Sequence, residues 1–188
     1  EKTFRNKIYW FTFLFSVLVI WVHSYNAVLF LGNTGAAASL VRLERFFGDK
    51  IAQIAVPGFF MISSYLFFRG YKPEILMRKW SSRIRSVLVP YIVWNSLYYF
   101  GYVIGSRLPY ISDVIGKGKI PFGLLETVDA ILNYTYNYVF WYLYQLILLI
   151  LLAPLIYLAV KRVWPGIVFL AILLTGVYLG IDLPFLNL

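Results

Sequence analysis

Two sets of residues in this sequence could do chemistry, and they lie far apart along it. The first centres on His23, the single histidine of the chain. An imidazole has an unperturbed pKa of about 6.5, which suits proton transfer near neutrality. His23 belongs to a row, Arg5, Thr12, Ser16, Val19, His23 and Asn26, whose helical spacing keeps all six within about 80° of one another. Every member but Val19 is polar on an otherwise apolar segment, so the row belongs against a bundle interior or a water-filled cavity. His23 is then a candidate general base; the alternative is a neutral histidine held by one interhelical hydrogen bond.

The second set is the loop from Arg69 to Arg85, on the cytoplasmic side, which carries six basic residues against one acid. Arg78, Lys79, Arg83 and Arg85 cluster there with Trp80 among them. Guanidinium groups make bidentate, charge-assisted contacts to phosphate oxygens, so a polyphosphate fits. Membrane topology and anionic lipid headgroups would account for the same residues. Two aromatic rows accompany them: Tyr91, Asn95, Tyr98 and Tyr102, then Tyr138, Trp141 and Gln145 with Tyr142 alongside. Such rows line a cavity for a sugar or an acyl chain, or form packing faces and interfacial belts. The chain has no cysteine, so nothing rests on disulfides or thiolate chemistry, and no metal is expected.

The elements that position these residues belong to a bilayer. Only 13% of the 188 residues are charged and 61% are apolar, whereas a soluble domain carries roughly a quarter charged residues. Five charge-free stretches stand out: Ile8 to Val41, Ile51 to Phe68, Ser86 to Ser106, Ala130 to Val160 and Val163 to Ile181. A helix crosses the hydrocarbon core with about 20 apolar residues. The expectation is an all-α, polytopic transmembrane helix bundle with spans at about 8–31, 51–69, 86–105, 138–160 and 163–181. The run LILLILLAPLIYLAV is apolar without alternation, which favours helices over barrel strands. Residues 1–188 read as one integral membrane domain, truncated soon after the fifth span, whose remaining helices belong to the parent protein or a partner chain. Between spans, LVRLERFFGDK reads as an amphipathic piece on the outer interface, and a short re-entrant or interfacial helix is expected near Phe122 to Leu132.

Orientation follows from Lys and Arg, which are retained on the cytoplasmic side. With the N-terminus cytoplasmic, eleven of the 17 basic residues fall inside and six outside. The net charge of +9 thus reports topology, and nucleic acid is not an expected partner; membrane lipids are. No Asp or Glu lies within the five spans, which weighs against a transporter with intramembrane carboxylates. A neutral-solute carrier or a non-catalytic membrane domain remains as the alternative.

Four segments resemble the membrane-bound acyltransferase type 3 family of bacterial polytopic O-acyltransferases. FTFLFSVLVIWVHSYN resembles its first helix, ending in the family histidine. VPGFFMISSYLFFR resembles the second-helix signature, MRKWSSRIRSVLVPYIVW the basic run leading through a proline into the third helix, and NYVFWYLYQLILLILLAPLI a later helix opened by an aromatic pair. The resemblance covers the N-terminal half of the family and implies a bacterial inner-membrane enzyme. It implies transfer of an acyl group, by default acetyl, from cytoplasmic acyl-CoA to a hydroxyl of a cell-surface or cell-wall carbohydrate. His23 would be the general base, and Arg78, Arg83 and Arg85 would meet the donor phosphates. Trp141 and Tyr142 would shape the acceptor side, with Ser63 and Asn95 as further binding candidates. Two positions depart from the family pattern: Thr12 stands where the family carries a basic partner for the histidine, and Ser64 replaces the second-helix glycine.

Overall fold

In a computed structural model of the chain, residues 2–24, 30–32 and 34–180 are described. Every regular element among them is helical. The chain divides into two compact units, residues 1–71 and 72–188.

In the first unit, α1 (Lys2–Val22) carries the candidate row. The second element, α2 (Gly35–Phe46), is capped by Thr34, whose hydroxyl accepts a hydrogen bond from the Ala37 amide at 3.1 Å. It does not end where the amphipathic piece ends. It passes through a π-turn (Phe47–Ile51) and a 3-10 turn (Ala52–Ile54) into α3 (Ala55–Phe68). The sequence places that piece apart from the second span, but the structure joins them in one helical run, Ala37–Phe68. Irregular turns leave backbone groups out of register. Here the Gln53 side chain donates to the Gly48 carbonyl at 3.1 Å and satisfies one of them.

Ring contacts fix how α1 meets this run. Phe4 lies 5.2 Å from Tyr65, Phe15 lies 5.7 Å from Phe59, and Trp21 lies 5.8 Å from Phe47. Residue numbers rise along one helix as they fall along the other, so the pair is antiparallel. The middle contact depends on Gly58, because a methyl group there would fall inside the Phe15 ring.

In the second unit a 3-10 turn (Pro73–Ile75), α4 (Leu76–Arg83), a π-turn (Ile84–Leu88) and α5 (Val89–Gly105) form one run, Pro73–Gly105. Most of the basic stretch, which reads from sequence as a loop, is therefore helical. Pro73 is suited to a helix's first turn, and no glycine or proline follows until Pro90. The π-turn, in which the Val89 amide donates to the Ile84 carbonyl, precedes Pro90 and accommodates a residue with no N–H to give. Beyond it lie α6 (Pro109–Ile115), α7 (Leu124–Leu132), a 3-10 turn (Tyr138–Phe140), α8 (Trp141–Val160) and α9 (Val163–Tyr178).

Among the described residues, three helical runs are long and apolar enough to cross a membrane: Ala37–Phe68, Pro73–Gly105 and Tyr138–Val160. α9 is apolar but shorter. α1 covers most of the first expected span; residues 25–29 of that span, and residue 181 of the last, lie outside the described residues.

The core of the second unit gathers on the far end of α5, where Tyr99, Val103, Ile120 and Ala130 are buried together. The Tyr99 hydroxyl donates to the Pro121 carbonyl at 2.9 Å, the Ile120 amide to the Ser106 hydroxyl at 3.1 Å, and the Tyr91 hydroxyl to the Leu132 carbonyl at 3.1 Å. The long connection is thus tied to α5. α7 forms where a short helix is expected and leaves Leu124, Leu125 and Leu132 exposed, as an interfacial helix requires. Lys117 Nζ stands 5.4 Å and 5.6 Å from the Tyr102 and Tyr136 rings. Burial, then Tyr99 and Asp129, push the Tyr136 phenol up.

One row shifts. Tyr91, Asn95, Tyr99 and Val103 are the buried face of α5 and Tyr98 is exposed. Steps of four form a packing ridge, and Tyr98 lies one residue off it.

Gly58→Ala should destabilise the first unit by about 1–3 kcal/mol through overpacking, and Phe15→Leu added to it should recover part of the loss. Unfolding in mixed micelles measures both; a Gly58→Ala protein as stable as wild type would show that the ring does not depend on this glycine.

Candidate functional site

His23 stands in the turn that ends α1, its amide donating to the carbonyls of Val19 at 3.3 Å and Ile20 at 3.2 Å, and its side chain is exposed. The row leading to it divides. Thr12 and Val19 are half-buried with Ile8, Phe15 and Val22, on the face that packs on α3, whereas Arg5, Ser16 and His23 are exposed along its edge. Ser16 donates to the Thr12 carbonyl at 2.9 Å, so its hydroxyl is satisfied within the helix. Asn26 lies outside the described residues.

Ser63 is half-buried on α3, between Phe59 and Tyr65, whose partners on α1 are Phe15 and Phe4. It is level with the early turns of α1, about 20 Å along the axis from His23 at 1.5 Å per residue. Ser63 and His23 therefore stand at opposite ends of one helix pair.

In the second unit the positive charges of Arg83 and Arg78 both act on Lys79, so these three cations form one cluster on α4. Arg85 sits in the π-turn and is exposed. Arg83 is half-buried, and the Tyr142 phenol acts on it electrostatically. Trp141, the first residue of α8, is half-buried.

A single hydrogen bond orients the cluster. Pro154 lies inside α8 and has no N–H. The helical acceptor it leaves unmatched is the carbonyl four residues earlier, that of Ile150. Trp80 Nε1 donates to that carbonyl at 2.9 Å. Further along, the Tyr91 ring lies 6.2 Å from Phe140 and 6.4 Å from Tyr144, so α8 runs antiparallel to the Pro73–Gly105 run. Lys161 and Arg162, just past α8, consequently come to the same end as Arg78 and Lys79.

Toward the opposite end the buried polar side chains are neutral. Asn95, Asn137 and Gln145 are buried. Asn95 Nδ2 donates to the Tyr91 carbonyl at 3.0 Å. Among the described residues, Asn95 Oδ1, Asn137 Nδ2 and Gln145 Oε1 have no hydrogen-bond partner. A bound hydroxyl could satisfy such atoms as donor or acceptor. No group of three or more His, Cys, Asp or Glu that could hold a metal ion occurs among the described residues.

Sequence reasoning does not single out Asn137, names Lys79 and Trp80 only as members of a basic cluster, and places Gln145 in a row read either as cavity lining or as a packing face. For Trp80 a signal exists: a proline inside an apolar helix announces an orphaned carbonyl, and so a donor from elsewhere.

Comparison with known proteins bears on what such an arrangement serves. The family model described as an acyltransferase domain, type 3, matches residues 7–188. The succinoglycan biosynthesis protein ExoH of Rhizobium meliloti (strain 1021) is 33% identical over 163 residues, covering 82% of this chain and 42% of that protein. The chain thus spans about two fifths of the length of that curated relative. No solved structure matches it.

Trp80→Phe should cost about 1–3 kcal/mol by leaving the Ile150 carbonyl buried and unpaired. In a Pro154→Ala background, where residue 154 regains its N–H, the same change should cost much less. A double-mutant cycle of unfolding free energies reads the difference; equal costs in both backgrounds would show that the indole does not serve this carbonyl.

Proposed function

Because the chain belongs to the acyltransferase type 3 family, we propose that it forms the donor-binding and base-bearing part of a membrane enzyme. That enzyme moves an acyl group, by default acetyl, from acyl-CoA to a hydroxyl of a surface polysaccharide. The family match over residues 7–188 carries the reading, and the name of the relative, with its role in succinoglycan biosynthesis, supports a polysaccharide acceptor. The setting is the bacterial inner membrane with the N-terminus cytoplasmic, as the distribution of Lys and Arg favours.

Donor phosphates bind at the Arg78, Lys79 and Arg83 cluster, where concentrated guanidinium and ammonium charge meets phosphate oxygens. Arg85 adds charge two residues further on. Ser63, level with Arg5 at one end of the first unit, is a further binding candidate. His23 takes the proton of the acceptor hydroxyl as its oxygen attacks the thioester carbonyl. Collapse of the tetrahedral intermediate breaks the carbon–sulfur bond, and the imidazolium returns the proton to the departing thiolate. The buried amides of Asn95 and Gln145, with the aromatic stack of Tyr91, Phe140 and Tyr144, suit a hydroxylated acceptor. Trp141, at the head of α8, shapes the same side.

General bases contribute about 10²- to 10⁴-fold, so His23→Ala should lower acyl transfer by at least that lower factor in membranes supplied with acyl-CoA and polysaccharide. Arg83→Gln should instead raise the KM for acyl-CoA about tenfold, the scale of one lost charge-assisted hydrogen bond. Full transfer by the His23 variant would remove the assigned base. An unchanged KM in the arginine variant would remove the donor site.

A further inference from the structure

Beside the cation cluster, α4, the π-turn and α8 enclose a groove of about 90 Å³, open on one side and lined by Trp80, Arg83, Val87, Leu88, Ile147 and Leu151 among others. It follows about two turns of helix, from Trp80 to Leu88, or about 12 Å. Its walls are almost wholly carbon, with Arg83 presenting its methylene stem. The one indole N–H in the wall is engaged by the Ile150 carbonyl. Both walls belong to helical runs apolar enough to cross a membrane.

We propose that this groove seats one acyl chain of an anionic phospholipid, whose phosphate rests on Arg78, Lys79 and Arg83. This goes beyond the acyltransferase reading and does not require it; where both hold, lipid and donor phosphates take the same cations in turn. Three observations select the occupant. The wall offers no hydrogen-bonding group, so an arm containing amides, such as pantetheine, would be desolvated there without compensation, which is costly; a hydrocarbon chain has nothing to satisfy. The cations stand at the Trp80 end of the groove, the end that Lys161 and Arg162 share, and a lipid has its headgroup at one end of its chain. Three neighbouring positive charges are complementary to a phosphodiester and favour a headgroup with net negative charge over a zwitterion.

The test uses protein extracted from membranes and exchanged into nanodiscs of phosphatidylglycerol or phosphatidylcholine, with retained lipid counted by native mass spectrometry. Wild type should retain phosphatidylglycerol about tenfold over phosphatidylcholine, the factor expected if one or two cations engage the headgroup. Ile147→Trp, which fills the groove, should abolish retention of either lipid. Arg78→Gln with Lys79→Gln should erase the preference and leave a chain bound. Wild type alone supplies a second measure that needs no variant. Long-chain phosphatidylglycerol should raise its melting temperature, and the dihexanoyl lipid at equal headgroup concentration should not. Equal retention of the two lipids, or equal stabilisation by both chain lengths, would overturn the proposal. Coenzyme A without an acyl chain should compete for the shared cations; displacement of the lipid by long-chain acyl-CoA but not by coenzyme A would overturn the proposal, by assigning the groove to the donor's own chain.

Discussion

A carbonyl in hydrocarbon has no water to bond, and leaving one unpaired costs several kcal/mol. Pro154 creates that situation in the middle of α8, and the Trp80 indole resolves it from α4. Because the indole is fixed to Ile150, the helical face that carries Arg83 three residues later is held against α8, as are the walls of the groove. The rotation of α4 about its own axis is thus decided by one polar contact, which packing among interchangeable Ile, Leu and Val side chains would not decide. The proline is tolerated because a donor arrives from another helix, and the donor's position then governs where the charges stand.

The two long helical runs obey a similar constraint. Each is longer than the hydrocarbon needs: about 20 residues suffice, whereas Ala37–Phe68 and Pro73–Gly105 extend to 32 and 33. The surplus in each is the charged part, around Arg42, Glu44 and Arg45 in one and around Arg78, Lys79 and Arg83 in the other. Each run contains a π-turn, at Phe47–Ile51 and at Ile84–Leu88. A π-turn inserts one residue into the helical repeat and rotates the next turns of helix about the axis. A charged face and an apolar face can thereby belong to one continuous helix without being forced onto the same side.

The same physics decides which features are legible in the sequence. The charge-free stretches reveal the apolar helices, because the cost of a charge in hydrocarbon is written directly into composition. The short α7 is also legible, from the turn residues that punctuate the long connection before it, Pro121 and Gly123 last among them. The basic stretch reads as a loop although it is helical, since charge density marks proximity to water and says nothing about the backbone. Tyr98 falls into the row that Tyr99 occupies, because a face read by a mixture of three- and four-residue steps is ambiguous by one position until a partner selects the ridge. Gly58 as the seat of Phe15 is illegible altogether, since which ring meets which glycine depends on the axial offset of two helices.

The polar groups that remain away from the charged ends differ in how they are satisfied, and that difference ranks them. Ser16 is content with the Thr12 carbonyl, and Tyr91 and Tyr99 each reach a carbonyl of the connection packed on α5. Such groups hold the fold and gain nothing from a ligand. Asn95 uses its amide nitrogen on Tyr91 and leaves its oxygen over, and Gln145 leaves its oxygen over as well. A hydroxyl brought to either oxygen replaces an unmet acceptor, at a site where water is scarce and the bond is correspondingly strong. Charge at one end of the α4–α8 pair and unmet neutral acceptors further along is an arrangement with a physical direction. An anionic group is held where ions are tolerated, and an uncharged hydroxyl gains most where they are not.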